Sequence, residues 1–491
     1  MQKINCPSCG GEVVFRSAAS VMAVCEYCQS TLLKDADSVK NIGKMSDLLE
    51  DYSPLQITST GLFQGRNFSL VGRIQLRYDA GIWNEWYVMF DDGGAGWLSD
   101  ASGQYVFTIA DAEQTESLPA FENLRPGLPL RYRGATFYAA DVRTARCVAG
   151  EGELPFKVGN GWELRAADFR VGHRFLTLDY SDGPAPQLYL GQSVTLEQMR
   201  CQLLRAEDGV ADAAAKFRGK TVPFDCPNCG SPFKYMAGMA YHIVCPSCHA
   251  EVDCSTDKAL VLQKAGELAR VTTSIDLGDV ATINGSKYEA IGLMQCQTSS
   301  GDESWTWIEY LLFNPAKGFH WLVESSEGWD SITVLNEWPD QSGGNIVLSG
   351  DSYVKAEEYN AVVLYAAGAF NWRISIGDRT RVTEYKKGNR TVTAEANVNE
   401  VVWSAGRRVP ASQVGQWFGK NFGGAESQEE AGAESKALFK MARIFSIVIA
   451  VLNVPMAFIG GMSSVRIILA ALILLWLPAI IVRFFGKDKN V

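Results

Sequence analysis

Cys226-Pro-Asn-Cys229-Gly230 opens a four-cysteine motif that ends in Cys245-Pro-Ser-Cys248, and the chain carries this motif twice. The earlier occurrence reads Cys6-Pro-Ser-Cys9-Gly10 and Cys25-Glu-Tyr-Cys28, so each later cysteine lies 220 positions after its counterpart. Two Cys-x-x-Cys turns supply the four thiolates that a tetrahedral zinc ion requires. The sequence therefore predicts two structural zinc ribbons, over residues 1–35 and 223–256.

The expected cofactor is one Zn²⁺ per ribbon, with eight thiolate ligands in all: Cys6, Cys9, Cys25, Cys28, Cys226, Cys229, Cys245 and Cys248. The alternatives are disulfides, a thioredoxin-like redox pair, or a ligand exchange with His242 or His249 beside the second ribbon. Redox pairs do not occur as matched quartets, and we expect no secretory signal at Met1-Gln-Lys-Ile-Asn-Cys6. Four thiolates leave no open coordination position, so the zinc is expected to stabilise the fold rather than catalyse.

Segments rich in β-branched and aromatic residues follow each ribbon. Turn signals such as Asp91-Asp-Gly-Gly94 and Gly159-Asn-Gly161 separate them. Short strands at this spacing predict an antiparallel β-barrel or sandwich over residues 52–205 and again over 271–421, with a linker at 206–222. Short helices are expected over residues 39–49 and 257–270.

The C-terminal region differs in composition from the rest of the chain. A flexible tether is predicted at 422–437, followed by a two-helix transmembrane hairpin at 438–486. Residues 444–461 and 467–482 contain no charged side chain. A buried soluble hairpin or a re-entrant loop is the alternative. The predicted fold class is thus mainly β, with two tandem ribbon-plus-β units and a membrane hairpin.

Basic residues flank both predicted spans, with Lys436, Lys440 and Arg443 before the first span and Arg483 among those after the second. Positive charge in short flanks stays on the cytoplasmic side of a membrane. We therefore expect an inner-membrane protein whose soluble domains and two termini are cytoplasmic, where thiols remain reduced.

The chain is acidic, with 45 Lys and Arg against 55 Asp and Glu. Seven of the basic and one of the acidic residues lie from Lys436 onward, so residues 1–435 carry a net charge of −16. Nucleic-acid binding through a ribbon requires a basic surface. A nucleic-acid partner is therefore not expected.

Tryptophan and glutamate alternate on one strand of each β-segment. At a period of two, Trp305, Trp307 and Glu309 share a face. Indole rings beside a carboxylate can hold an organic cation. The candidate ligand-binding residues are Trp83, Glu85, Trp97, Trp305, Trp307, Glu309 and Trp321, with Trp86 adjacent in the first segment. The alternative is a tryptophan-rich edge of the core.

The β-segments repeat as well as the ribbons. Trp83-Asn-Glu-Trp-Tyr-Val-Met-Phe90 corresponds to Trp305-Thr-Trp-Ile-Glu-Tyr-Leu-Leu-Phe313, and Gly152-Glu-Leu-Pro-Phe156 to Gly368-Ala-Phe-Asn-Trp372. These motifs resemble the bacterial family called domain of unknown function 4178, twice over, across most of residues 1–420. The resemblance implies zinc ribbons, membrane segments in some members, and an association with envelope stress. The second repeat departs from the family pattern at Ala369-Phe-Asn.

No Ser/His/Asp elbow, phosphate-binding glycine loop or His-Glu-x-x-His motif occurs, so the chain is predicted not to be an enzyme. The expected function is a membrane-anchored cytoplasmic adaptor that binds other proteins at the inner membrane, in envelope stress as the resemblance implies. The alternative is a β-domain that binds, or acts on, an organic cation such as a polyamine. A pocket lined by Trp305, Trp307 and Glu309 would favour this alternative, whereas a well-packed β-core with exposed patches would favour the adaptor.

Overall fold

The structure is a computed structural model of the chain. It describes residues 2–16, 20–35, 38–45, 53–101, 103–113, 117–159, 161–205, 221–236, 242–254, 260–263, 271–300, 303–314 and 317–422. The predicted membrane hairpin lies outside these residues, as do most of the predicted tether and linker. Within the part of the chain that the structure describes, no helix is long and apolar enough to cross a membrane.

The first repeat consists of antiparallel strands and a short 3₁₀ turn at Phe121–Asn123. Its strands are β1 Gln2–Asn5, β2 Glu12–Phe15, β3 Met22–Val24, β4 Ser30–Asp35, β5 Ser38–Lys44, β6 Thr60–Phe63, β7 Arg66–Tyr78, β8 Gly81–Phe90, β9 Ala95–Ala101, β10 Gln104–Ala110, β11 Pro129–Tyr132, β12 Ala135–Leu154, β13 Trp162–Val171, β14 Arg174–Asp179 and β15 Gln187–Val194.

The second repeat follows the same plan and is succeeded by helix α1, Ala411–Phe418. Its strands are β16 Thr221–Asp225, β17 Pro232–Met236, β18 His242–Val244, β19 Glu251–Asp253, β20 Leu260–Gln263, β21 Val280–Ile283, β22 Ser286–Ser300, β23 Glu303–Asn314, β24 Gly318–Ser325, β25 Gly328–Val334, β26 Asp340–Ser342, β27 Asn345–Leu348, β28 Asp351–Phe370, β29 Arg379–Lys387, β30 Arg390–Ala396 and β31 Val401–Val409.

Each repeat closes an eight-stranded β-barrel. In the first, the strands run in the order β7-β8-β9-β10-β15-β14-β13-β12, and β12 returns to pair with β7. The second has the equivalent order β22-β23-β24-β25-β31-β30-β29-β28, with β28 returning to β22. The prediction of two tandem ribbon-plus-β units is confirmed, and of the two predicted alternatives the structure forms the barrel.

One face of each strand lines the barrel interior. In the first barrel, Glu85 stands opposite Ser99, and Asp168 opposite Thr177. Burial raises the pKa of Glu85 to about 7, and the Asp168 charge adds to the rise although β8 and β13 are not neighbours. Both carboxyls therefore lie on the inner face of the barrel. The alternate residues, Trp86 among them, point outward into a separate apolar cluster.

Glycines permit each barrel to close. Where β7 meets β12, Gly72 stands opposite Gly152, and where β22 meets β28, Gly292 stands opposite Gly368. A Cβ on Gly72 would lie 1.9 Å from the carbonyl oxygen of Glu153. Gly152 and Gly368 also have φ values of 69° and 100°, which favour glycine. Closure therefore depends on the absence of side chains at this crossing.

Each ribbon adds a strand to the sheet of its own barrel. The end of β12 pairs with β3, placing Leu154 opposite Met22, and the end of β28 pairs with β18, placing Phe370 opposite His242. Strands β12 and β28 are both 20 residues long, so one strand serves the barrel and the ribbon. The repeated segments 152–156 and 368–372 are therefore the junctions between ribbon and barrel.

The charge pair at this junction is reversed between the repeats. In the first, the buried carboxylate is Glu153 of the barrel, and it accepts a hydrogen bond of 2.7 Å from the backbone N–H of Arg16 in the ribbon. In the second, the buried carboxylate is Glu251 of the ribbon, and Arg373 of the barrel lies 3.8 Å away. The second repeat, which departs from the family pattern at Ala369, therefore has its buried acid in the ribbon instead of in the barrel.

Loops of the second repeat contact the first barrel. Gly172 and Trp338 exchange backbone hydrogen bonds of 3.1 and 2.8 Å. Arg143 of the first barrel donates a hydrogen bond of 2.7 Å to Glu400 of the second repeat. Trp338 is 2% exposed and belongs to a cluster that includes Ala140. Apolar burial and ionic contacts thus join the two repeats.

By packing, the chain divides into two units. The first comprises Met1–Ser325 and Asp330–Arg408 and contains most of both repeats. The described part of the second comprises Ser326–Trp329 and the residues from Val409 to Phe422. In that unit α1 ends at Gly419, which has a φ of 63°, and the rings of Trp329 and Phe422 are in contact at 5.5 Å.

The prediction of helices over residues 39–49 and 257–270 is wrong for those of these residues that the structure describes. These residues instead form β5 and β20, which pair with β4 and β19 and extend the ribbon sheets. Helix propensity is a weak preference that an available strand edge overrides.

Candidate functional site

The four-cysteine motifs bring their thiols together. Cys6 Sγ lies 3.7 Å from Cys28 Sγ, and Cys9 Sγ lies 3.7 Å from Cys25 Sγ. The corresponding distances in the second motif are 3.7 and 3.9 Å, and all four sulfurs of each group lie within 4.8 Å of one another. A tetrahedral ion with metal–sulfur bonds of about 2.3 Å sets its sulfurs about 3.8 Å apart. Each group can therefore hold a metal ion.

Tight turns position these thiols. Gly10 has a φ of 77° and donates its N–H to the Cys6 carbonyl at 2.8 Å, and Gly230 has a φ of 70° and does the same to Cys226 at 2.7 Å. His249 occupies the matching place in the second turn of ribbon 2, with a φ of 54°. The left-handed backbone explains the glycine at the two first turns.

The two histidines beside the second ribbon have other contacts. A ring nitrogen of His242 lies 2.9 Å from the carbonyl oxygen of Ile374, and the His249 ring packs against Tyr365 at 4.9 Å. Among the described residues, each group of potential metal ligands consists of four cysteines. The predicted all-thiolate sets therefore match the geometry.

Inside the first barrel, the predicted residues Trp83 and Glu85 are in contact. Trp83 Nε1 donates a hydrogen bond of 2.8 Å to Glu85 Oε1. The Ser99 hydroxyl lies 2.8 and 2.7 Å from the two carboxylate oxygens of Glu85. The chain's own donors therefore hold this carboxylate in place.

The second barrel repeats the pair, with the Cys296 thiol as second donor in place of a serine hydroxyl. Trp307 Nε1 donates a hydrogen bond of 2.7 Å to Glu309 Oε1. Val323 stands opposite Glu309 where Ser99 stands opposite Glu85, so no hydroxyl is offered from that position. Burial raises the pKa of Glu309.

Strand register identifies further inward-facing residues that the two barrels share. Residues at the same distance along the strands from the closing glycines, and with the same pairing, are equivalent in the two barrels. The equivalent residues are Glu85 and Glu309, Asp168 and Glu384, Thr177 and Thr393, and Asp179 and Glu395. Burial raises the pKa of Asp168 and of Asp179. Each barrel therefore has these three acids on its inner face, and Asp141, which stands opposite Asp168, joins them in the first barrel.

Glu395 is the most unusual of these acids. The Glu395 side chain is exposed to solvent, although the strand register places it on the inner face of the second barrel. Desolvation of the carboxyl by the surrounding strands and the Glu309 charge raise its pKa to about 8. It has no hydrogen-bond or ion-pair partner among the described residues. A carboxyl in this setting favours a cation as its partner.

The structure separates the other predicted tryptophans from the glutamates. Trp97 stacks on Phe156 at 5.8 Å, and Trp321 packs against Trp372 at 5.4 Å. Trp305 is 47% exposed on β23. These rings are not in contact with Glu85 or Glu309 in the part of the chain described.

Sequence reasoning missed the acids opposite the tryptophan strands. None of the four acids Asp168, Asp179, Glu384 and Glu395 is among the ligand-binding residues predicted from the sequence. The available signal was the pattern Thr-x-acid, which occurs as Thr177-Leu-Asp179 and as Thr393-Ala-Glu395. Alternation along a strand places both members of such a pattern on one face.

Comparison with known proteins identifies the two barrels. The model of the family described as domain of unknown function (DUF4178) matches residues 56–196 and 276–411, which cover most of both barrels. No curated protein and no solved structure shows significant similarity to the chain. The family matches together span more than half of the sequence and confirm the resemblance seen in its motifs. The chain therefore belongs to the DUF4178 family and contains two copies of its domain.

Proposed function

We propose that the protein is a non-enzymatic binding protein that holds an organic cation inside a β-barrel. The supporting observation is the pair of equivalent interiors, each with a tryptophan N–H on a glutamate and two further acids on the inner face. Carboxylates remain charged in a protein interior only when a cation or strong donors compensate them. A bound cation would supply that compensation.

An organic cation fits these interiors better than a metal ion. Among the described residues, the only groups of three or more potential ligands within 4.8 Å of one another are the cysteine groups. No three of the described barrel acids therefore lie close enough together to share one small ion. An alkylammonium ion can instead bridge separated carboxylates and rest against the Trp307 ring by a cation–π contact.

We further propose that the metal held by each ribbon is zinc. The sulfur spacing of 3.7–3.9 Å matches a tetrahedral four-thiolate site, which zinc favours. The thiolates fill every coordination position, so the ion would stabilise the ribbon and the strand that the ribbon adds to its barrel.

The cation proposal predicts that binding depends on the inward-facing glutamates. In full-length protein purified in detergent, the double variant Glu85→Gln and Glu309→Gln should lose measurable heat of binding for 1,4-diaminobutane in titration calorimetry. Glu303→Gln is the control for loss of charge, because it removes one negative charge from an exposed position on β23. Equal binding by all three proteins, or no binding by the wild type, would refute the proposal.

Binding should also strengthen with pH. Because the pKa of Glu395 is raised to about 8, this carboxyl is largely protonated below that pH and becomes the charged, cation-binding form above it. With tetramethylammonium, whose charge does not titrate, we expect affinity to rise roughly tenfold between about pH 6 and about pH 9. An affinity that falls over this range would contradict the assignment.

An adaptor role at the membrane is a second proposal. It is favoured by ribbon 1, which exposes 72% of the Tyr27 side chain on its second Cys-x-x-Cys turn, where a partner protein could contact it. The predicted hairpin at 438–486 would hold the protein at the cytoplasmic face of the inner membrane. Full-length protein should then sediment with membranes and resist a high-salt wash, whereas a chain ending at Phe422 should remain in the supernatant. Release of full-length protein by salt would rule out an integral anchor.

A further inference from the structure

Residues of β11, β12, β14 and β15 form a small cavity in the first repeat. Its volume is about 130 Å³, and its walls include Tyr132, Phe137, Phe175 and Leu190. The hydroxyl of Tyr132 donates a hydrogen bond of 2.8 Å to Asp111, so the polar end of this side chain is already paired. An apolar cavity of about 150 Å³ can hold a benzene molecule. This cavity is therefore large enough for a short branched alkyl group.

Two arginines border the cavity, and one of them has no acidic partner. Arg133 Nη2 lies 2.9 Å from Asp111 Oδ2. The guanidinium of Arg174 lies 5.2 Å from the centre of the Phe137 ring, and Arg174 has no hydrogen-bond or ion-pair partner among the described residues. A positive charge that no acid compensates therefore lies beside an apolar wall.

The second repeat contains the equivalent arginine. Arg174 is the first residue of β14, and Arg390, 216 positions later, is the first residue of β30. Phe137 is the third residue of β12, and Tyr353, also 216 positions later, is the third residue of β28. The Arg390 guanidinium lies 5.7 Å from the centre of the Tyr353 ring. Both arginines thus occupy the same place beside an aromatic ring.

In the second repeat, an acid of the chain itself pairs with this arginine. Arg390 Nη1 lies 2.8 Å from Asp351 Oδ2. Hydrogen bonds from Lys387 and Arg390 hold the pKa of the Asp351 carboxyl below its usual value. The residues equivalent to Asp351 and Lys387 in the first repeat are Ala135 and Val171. The first repeat therefore lacks the carboxylate that the second repeat supplies.

We infer that the first repeat binds a small branched aliphatic monocarboxylate at this cavity. Its carboxylate pairs with Arg174, in the place that Asp351 takes beside Arg390, and its alkyl group fills the cavity. An exposed ion pair contributes little by itself, so affinity also requires burial of the alkyl group. The ligand has the opposite charge to the cation proposed for the barrel interiors, and this site shares no residue with theirs.

Equilibrium dialysis of the full-length protein with labelled 4-methylpentanoate tests this inference, with the same detergent in both chambers. The wild type should bind one molecule per chain at saturation. Two competitors separate the contributions of charge and alkyl group. The amide 4-methylpentanamide keeps the alkyl group without the charge, and acetate keeps the charge without the alkyl group. Each should compete at least about tenfold more weakly than unlabelled 4-methylpentanoate.

Two variants test the residues. Arg174→Gln removes the positive charge and should lower affinity by at least about tenfold. Ala135→Asp introduces the acid of the second repeat beside Arg174 and should lower affinity to a similar extent. Arg131→Gln is the matched control, because it removes the same charge from an exposed position on the neighbouring strand β11, outside the cavity, and should keep binding.

Four results would overturn the inference. These are no binding by the wild type, unchanged affinity in Arg174→Gln, equal competition by the amide, and loss of binding in Arg390→Gln, which would place the site in the second repeat. Thermal unfolding establishes that each variant is folded. Because the Arg174 side chain is exposed, Arg174→Gln preserves the test if Ala135→Asp does not fold.

Discussion

Replacing Cys226 and Cys229 together with serine is expected to halve the zinc content of the full-length protein. Four thiolates hold each ion, and removal of one Cys-x-x-Cys turn leaves two ligands. Structural zinc contributes about 10–16 kcal/mol to the folding of small zinc domains. The second ribbon should therefore unfold and become sensitive to proteolysis between Thr221 and Cys254. Elemental analysis and limited proteolysis measure both effects.

The control for this variant is Cys254→Ser, which removes a thiol close to the same ribbon but outside the four-cysteine group. It should retain both ions. Iron in place of zinc, or no metal in protein prepared under reducing conditions, would contradict the metal assignment. Loss of both ions from the double variant would show that the two ribbons depend on one another.

Among substitutions that add one methyl group where β7 meets β12, Gly72→Ala is expected to cause the largest loss of stability. The new Cβ would lie 1.9 Å from the backbone carbonyl oxygen of Glu153, which cannot move without separating β7 from β12. We expect the free energy of unfolding to fall by about 3 kcal/mol or more. Chemical denaturation monitored by tryptophan fluorescence would measure the change.

Two other alanine substitutions calibrate this result. At Gly292, the equivalent closing glycine, the nearest atom to a Cβ is the Ala369 carbonyl oxygen at 2.9 Å, so a smaller loss is expected. At Gly406 on β31, the nearest atom is the Ile332 side chain at 3.5 Å, an ordinary contact, so stability should hardly change. A Gly72→Ala protein as stable as Gly406→Ala would show that the β7–β12 crossing is not tightly closed.

The sequence predicted the ribbons because their signal is local. A Cys-x-x-Cys turn followed by a tightly turning glycine, such as Gly10 or Gly230, encodes ligand geometry within five residues. Duplication was equally visible, because two matched quartets 220 residues apart require two copies of one unit. Segments rich in β-branched and aromatic residues, separated by turn signals, likewise predicted antiparallel strands.

Tertiary structure decided how these strands combine. Residues 38–44 became a strand because β4 offered an edge. Trp86 does not belong to the predicted aromatic group, because alternation along β8 places its side chain on the outer face, away from Trp83. Neither the identity of a strand's partner nor the closing of a sheet is encoded in a short segment, since both depend on pairings between residues far apart in sequence.

The barrel interior shows most clearly which features the sequence predicts and which only the tertiary structure decides. The sequence alone determined that Trp83 and Glu85, and again Trp307 and Glu309, share a face at a spacing of two residues, and the structure places them in contact. Only the closed barrel brought Glu395 near Glu309, 86 positions earlier in the chain. Electrostatic interaction between such groups depends on their distance in space and on the exclusion of water. A sheet creates both conditions only when its first and last strands pair.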